Sequence, residues 1–301
     1  MLQQCFGGKL VNQIICKEEV KVGDKFYGGD EPFKSERSEM FYTLPLAIKH
    51  KRTIKESLDL FVEGEVLEGD NKYYCEEGNC RVDVVKRTCI LELPPVLILN
   101  LKRFEFDFDF MKKVKINDCC QFPLVLDMDS YTLDGIERRE KAAADAVKEG
   151  RDRAKAVEQV VSPDGSAYGL VGVLVHTGTA DSGHYYSYVK DRGGEGRPGG
   201  GWFLFNDTLV DDFDQMELGM ACFGGTDVVP HPGGGQRAEY IPRMHNAYML
   251  FYERIQLEAP PSASEAGKTQ TEQQQQQEQQ ECCRTVVPQV RVEGLGLRQQ
   301  S

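Results

Sequence analysis

Two short segments hold residue types that can activate a thiol. The first is Val175-His176-Thr177-Gly178-Thr179-Ala180-Asp181-Ser182-Gly183-His184-Tyr185-Tyr186-Ser187-Tyr188-Val189. It reads as a strand, a turn of small residues, and a second strand that His184 opens. Gly183 leaves room beside the imidazole for an extended backbone to approach. The second segment, Trp202-Phe203-Leu204-Phe205-Asn206-Asp207, reads as another short strand ending in two polar residues. If these strands are hairpin neighbours, His184 and Asn206 lie side by side at sheet ends. A neutral Asn accepts a hydrogen bond from one imidazole nitrogen and fixes the tautomer, so the other nitrogen can take a proton from a thiol. The thiol is a competent nucleophile only as thiolate, which the imidazolium stabilises. A lone histidine is more often structural. Gly-His-Tyr-Tyr together with Phe-Asn-Asp points to catalysis.

The elements that must position this pair are mostly strands. Val96-Leu97-Ile98-Leu99-Asn100-Leu101-Lys102-Arg103-Phe104 follows Pro94-Pro95 and has strand length, with an apolar start fit for burial. Tyr168 to His176, Tyr185 to Lys190, Trp202 to Phe205 and Ala247 to Glu253 are further strand candidates. Gly/Pro-rich loops at Gly193 to Gly201 and Gly233 to Gly235 interrupt them. Strands this close, with turn chemistry between them, predict an antiparallel sheet. Ile54, Leu58 and Phe61 recur at helical spacing, and Thr53 with Glu56 has the spacing of a capping box. Asp134 to Val161 is an insert rich in Ala, Glu, Lys and Arg. Its Ala143, Val147, Gly150, Ala154, Val157 and Val161 predict one weakly amphipathic, solvated surface helix. Beyond about Leu257 a glutamine-rich composition cannot offset chain entropy, so 259–301 is expected to be disordered.

The chain has 301 residues, with 28% charged and a net charge of -12. An acidic surface repels nucleic acid and anionic membrane, and neither is expected as a partner. No apolar run has the length of a bilayer span, and the first residues lack the pattern of a signal peptide. A reducing compartment, cytoplasmic or nuclear, is expected. The 10 cysteines do not read as a disulfide framework, since two pairs are adjacent (Cys119-Cys120 and Cys282-Cys283).

The two histidine-site segments are similar to the histidine box of the ubiquitin-specific proteases. Leu93-Pro94-Pro95-Val96-Leu97 through Leu101-Lys102-Arg103-Phe104 resembles that family's Leu-Pro-x-Val-Leu and Leu-Lys-Arg-Phe segment. Glu63 to Cys75 resembles the stretch before it, and Asn246-Ala247-Tyr248-Met249-Leu250-Phe251-Tyr252 the closing palm strand. The motifs run in family order from about Gly7 to Ile255, and the whole resembles the large multidomain members most. The resemblance implies an α+β, papain-like fold with an antiparallel palm sheet and β fingers, over residues 1–258. It implies a deubiquitinase, a thiol-dependent hydrolase acting after the ubiquitin C-terminal Gly-Gly, with ubiquitin and ubiquitinated proteins as partners. By motif position His184 is the general base, Asn206 its orienting residue and Asp207 a polar helper. Gly183, Tyr185 and Phe104 take the places of residues that line the groove for the ubiquitin tail.

Two departures qualify what the resemblance implies. The family's nucleophile and an oxyanion-stabilising Asn lie in a Gly-Asn-Thr-Cys-type box ahead of the fingers, and no such segment stands in this sequence. The expectation is a fingers-and-palm portion of the catalytic domain without its thumb, inactive alone; the alternative is a catalytically inactive ubiquitin-binding module. Family fingers also often carry two Cys-x-x-Cys pairs for zinc. Here Cys16 fits the first position and Cys75 the third, Gly78 stands in the fourth, and Cys80 lies nearby. A closed zinc site takes four ligands. No cofactor is therefore expected, and ordinary packing is expected to hold the fingers.

Overall fold

A computed structural model describes residues 1–255, apart from 23–24, 29–31, 77, 164, 194–198 and 231–237. By internal contacts the chain divides into Met1–Leu257 and Glu258–Ser301. The predicted disordered tail, the Gly233–Gly235 loop and the middle of the Gly193–Gly201 loop lie outside the described residues.

The strand Val96–Leu101 alternates as a pleated strand must, burying Leu97, Leu99 and Leu101 on one face. It sits inside an eight-stranded sheet. From one edge the order is Leu209–Phe213, Trp202–Asn206, Gly183–Lys190, Ala167–Gly178, His245–Arg254, Val96–Leu101 and Leu44–Leu46. Val125–Asp127 adds to Ala167–Gly178 off that path. Every pairing is antiparallel except the last, where Leu44–Leu46 runs parallel to Val96–Leu101. A second sheet, ordered Lys34–Phe41, Gly8–Cys16, Val84–Glu92 and Glu65–Leu67, forms the fingers. It has its own small core of Cys16, Val20, Cys75, Val82 and Val84. The predicted α+β class, with an antiparallel palm sheet and β fingers, is what is found.

The helix Ile54–Val62 seats Ile54, Ser57 and Leu58 in the main core. Its cap is as the sequence predicts on one side: Thr53 Oγ1 accepts from the Glu56 N–H at 3.2 Å. The Glu56 carboxylate reaches back one residue further than a capping box requires, to the Arg52 N–H at 3.0 Å. Replacing Thr53 with Ala is expected to lower unfolding free energy by about 1 kcal/mol, read as a shift in urea midpoint at unchanged slope.

Two predictions are corrected. The expected strand from Val96 to Phe104 is broken at Lys102-Arg103, and Phe104–Asp107 begins a separate hairpin with Lys112–Lys115. The cause is Arg103, fully buried, whose guanidinium must find acceptors inside the core. It donates to the carbonyls of Ala247, Ile116 and Asp118, and the chain leaves the ladder to aim it there. The expected single helix in the insert is two, Leu133–Lys148 and Arg153–Glu158, with Gly150 left-handed between them at φ +67°. The break resets the helical phase. Ala143, Ala146 and Ala156 are buried, whereas Val147 and Val161 face solvent. The insert is also tethered rather than free: Arg87 pairs with Glu140, and Arg138 and Arg139 both bind the buried Asp129 carboxylate.

Candidate active site

His184 is delivered by a tight strand-to-strand turn. Gly178 and Gly183 are opposite one another across it, and Thr177 is opposite His184. Gly178 has φ +116°, a conformation only glycine adopts without strain. The next strand over pairs Ser187 with Phe205, which brings the end of Trp202–Asn206 to the start of Gly183–Lys190. Asn206 then pairs with Leu209 around a two-residue turn whose first residue, Asp207, has φ +53°.

The predicted pair meets. His184 Nε2 lies 2.6 Å from Asn206 Oδ1. An amide oxygen only accepts, so Nε2 carries the hydrogen and Nδ1 is left with a lone pair for a proton. Asp207 Oδ2 is 3.8 Å from the same nitrogen, too far for a hydrogen bond, and its side chain is largely in solvent. It adds negative charge beside the imidazole and makes no direct bond to it.

The residues expected to line a groove are placed differently from one another. Tyr185 is partly exposed, and burial pushes its phenol up, with Tyr248 adding to the shift. Its ring is 4.8 Å from His176 and 5.6 Å from Tyr248; Phe104 is 5.1 Å from His176 and 5.8 Å from Tyr248. The four rings close a cycle of edge-on and tilted contacts. Gly183 is exposed, but the direction its side chain would take is not empty. A Cβ built there would stand 2.2 Å from His176 Nε2 and 2.4 Å from the Thr177 carbonyl oxygen. The vacancy left by the missing side chain is filled by His176.

Sequence reasoning singled out neither His176 nor Lys115. Lys115 Nζ lies 3.1 Å from the His176 oxygen, 3.1 Å from that of Gly178 and 2.6 Å from that of Met244. One ammonium thus ties the last turnward residues of the strand carrying His176 to the approach of the closing strand. Burial, then the nearby Arg103 guanidinium, lowers this ammonium to about 8. The one available signal for His176 was register: a turn over Thr179 to Ser182 sets it opposite Tyr185.

The buried cysteines are poor nucleophiles. Burial pushes the Cys120 thiol up to about 12 and Cys222 higher still. In the fingers Cys75 and Cys80 are directly opposite across a hairpin, and the Gly78 N–H donates to Cys75 Sγ at 3.3 Å. The Cys16 thiol donates to the Glu18 carbonyl at 3.3 Å. Among the described residues no three His, Cys, Asp or Glu side chains are arranged to hold a metal ion.

The family described as "Ubiquitin carboxyl-terminal hydrolase" matches residues 1–252. The chain is 36% identical to human ubiquitin carboxyl-terminal hydrolase 24 over 286 residues, covering 87% of this chain and 10% of that protein. It is 37% identical to mouse ubiquitin carboxyl-terminal hydrolase 9X over 263 residues, covering 85% and 10%. The chain therefore spans about a tenth of the length of these curated relatives. Among solved structures, it resembles a chain of the SAGA Ubp8/Sgf11/Sus1/Sgf73 DUB module bound to ubiquitin aldehyde. That match has a TM-score of 0.56 and 27% identity, covering 85% of this chain and 43% of that one.

Proposed function

The chain belongs to the ubiquitin carboxyl-terminal hydrolase family, and from that premise we propose that it supplies the general base for thiol-dependent hydrolysis at the ubiquitin C-terminus. The observation that carries this is the 2.6 Å bond from His184 Nε2 to Asn206 Oδ1. It leaves Nδ1 to take the proton of a cysteine thiol. The thiolate then attacks the carbonyl of the terminal glycine, the imidazolium returns the proton to the departing amine, and a water deprotonated by the same imidazole cleaves the resulting thioester and frees the thiol. A module that only binds ubiquitin has no chemical use for an oriented imidazole, so the pair favours the enzymatic reading. On this reading the nucleophile is not among the cysteines of this chain, because no Gly-Asn-Thr-Cys-type box stands in the sequence; Cys120 and Cys222 are in addition buried thiols.

The reading makes a two-part test with the 301-residue chain itself. Ubiquitin bearing a C-terminal electrophile should form no covalent adduct with it. An adduct that persists in a Cys5→Ala, Cys16→Ala variant overturns the missing nucleophile. Titration with free ubiquitin should give saturable binding through fingers and palm, and no binding at high concentration removes ubiquitin as the partner.

A further inference from the structure

His176 is 4% exposed, and the mechanism above makes no use of it. Three observations give it a task. A Cβ on Gly183 would lie 2.2 Å from its Nε2 and 2.6 Å from its Cε1, so the imidazole edge rests on the glycine immediately before His184. The ring is held edge-on between Phe104 and Tyr185, at 5.1 and 4.8 Å, and cannot swing aside. The Lys115 ammonium holds the carbonyls of His176 and Gly178, which fixes the strand on the other side of the turn.

We propose that His176 is a positioning residue: its imidazole takes the place of a side chain at Gly183 and holds the Gly183-His184 peptide so that His184 Nε2 points at Asn206. This rests on the reading of His184 as a general base oriented by Asn206. The device works only with a small, flat, uncharged ring. Burial and the Lys115 charge both press His176 below the usual histidine range. Its buried Nδ1 has no hydrogen-bond partner among the described residues, so no acceptor would stabilise a second proton. A larger ring would strike the Gly183 backbone, and a smaller side chain would leave the turn free to rock.

The test uses side-chain nitrogen–proton correlation spectra of the full chain, which has five histidines. Spectra are taken near pH 7.5, roughly one unit above the reference value of an ordinary imidazole and below the value of about 8 at which Lys115 loses its proton. His184 is assigned by the signal that His184→Gln removes. In the wild-type chain it should show a single Nε2–H tautomer. His176→Ala should move this pattern toward a mixture of tautomers, and so should Gly183→Ala, whose methyl group displaces the ring. In the double variant the methyl no longer meets the ring but still meets the Thr177 carbonyl oxygen at 2.4 Å, so the pattern should move only part of the way back toward wild type. Asn206→Ala separates the two ideas. If it changes the His184 pattern while His176→Ala and Gly183→Ala do not, the positioning role is overturned and the catalytic pair stands. If it changes nothing, the catalytic pair itself falls. Should either single variant lose its dispersed amide spectrum, the other carries the test, and His176→Gln serves if both do: a mixture of His184 tautomers in it supports the role, and an unchanged pattern overturns it.

Discussion

Joined to a family thumb segment that carries the nucleophilic cysteine, the chain should lose about a thousandfold or more in kcat/KM when His184 is replaced by Ala. Proton transfer by a positioned side chain contributes about 10² to 10⁴ in rate. Here the same imidazole serves twice, taking the thiol proton and returning it to the leaving amine, so the loss should sit in the upper part of that range. Asn206→Ala should cost less, about 10- to 100-fold, as for other groups that orient an acting side chain. It removes the acceptor at 2.6 Å that holds the hydrogen on Nε2, but water can replace part of that bond at a half-exposed imidazole. Asn206→Asp keeps an acceptor in place and should retain activity within a few-fold, roughly, since the orienting bond survives. Hydrolysis of a fluorogenic ubiquitin amide measures all three. Equal losses for His184→Ala and Asn206→Ala would mean that Asn206 does more than orient. An active His184→Ala variant would remove His184 from the chemistry.

That pair was legible because its two halves sit at strand ends with turn chemistry beside them. Gly183 and the Asn206-Asp207 turn announce where strands stop, and a hairpin needs no long-range information to align them. The palm strands were legible for a related reason: runs such as Leu170 to Val175 and Ala247 to Tyr252 are apolar and aromatic over strand length. What the sequence hid was occupancy. A glycine before a histidine looks the same whether a ligand or a neighbouring ring fills the place of its side chain, and only the register of His176 decides. Lys115 gave no signal either, because its partners are backbone carbonyls of His176, Gly178 and Met244, which any residue type could present. The insert was misread at Gly150. Periodicity continued past it on paper, but a left-handed glycine ends a helix and restarts the phase.

The largest effect on stability should come from Arg103, which lies in the Leu-Lys-Arg-Phe segment and turns its side chain into the core. Its guanidinium is fully buried and, among the described residues, bonds backbone carbonyls rather than a carboxylate. Nε donates to Ala247 O at 2.9 Å, and Nη1 to Ile116 O at 3.1 Å and Asp118 O at 2.7 Å. Burial lowers the group to about 10, so at neutral pH it still carries its charge, supported by backbone dipoles. Replacing it with Met fills most of the volume but leaves three carbonyls without that donor, each costing about 1–3 kcal/mol if dry. These costs overlap, because the segment after the hairpin can shift to meet water, so a total of about 3–5 kcal/mol is expected. Arg103→Lys should fall between, since one ammonium on a flexible stem cannot reproduce a planar fork that reaches both the closing strand and the Ile116-Asp118 segment. Urea unfolding of the three proteins decides it. A Met variant within about 1 kcal/mol of wild type would mean that these carbonyls find other partners, in the usual range for a neutral exchange of hydrogen bonds. A large loss would explain why the strand breaks where it does: the ladder is given up at Lys102-Arg103 because the core needs this side chain more than it needs two further rungs.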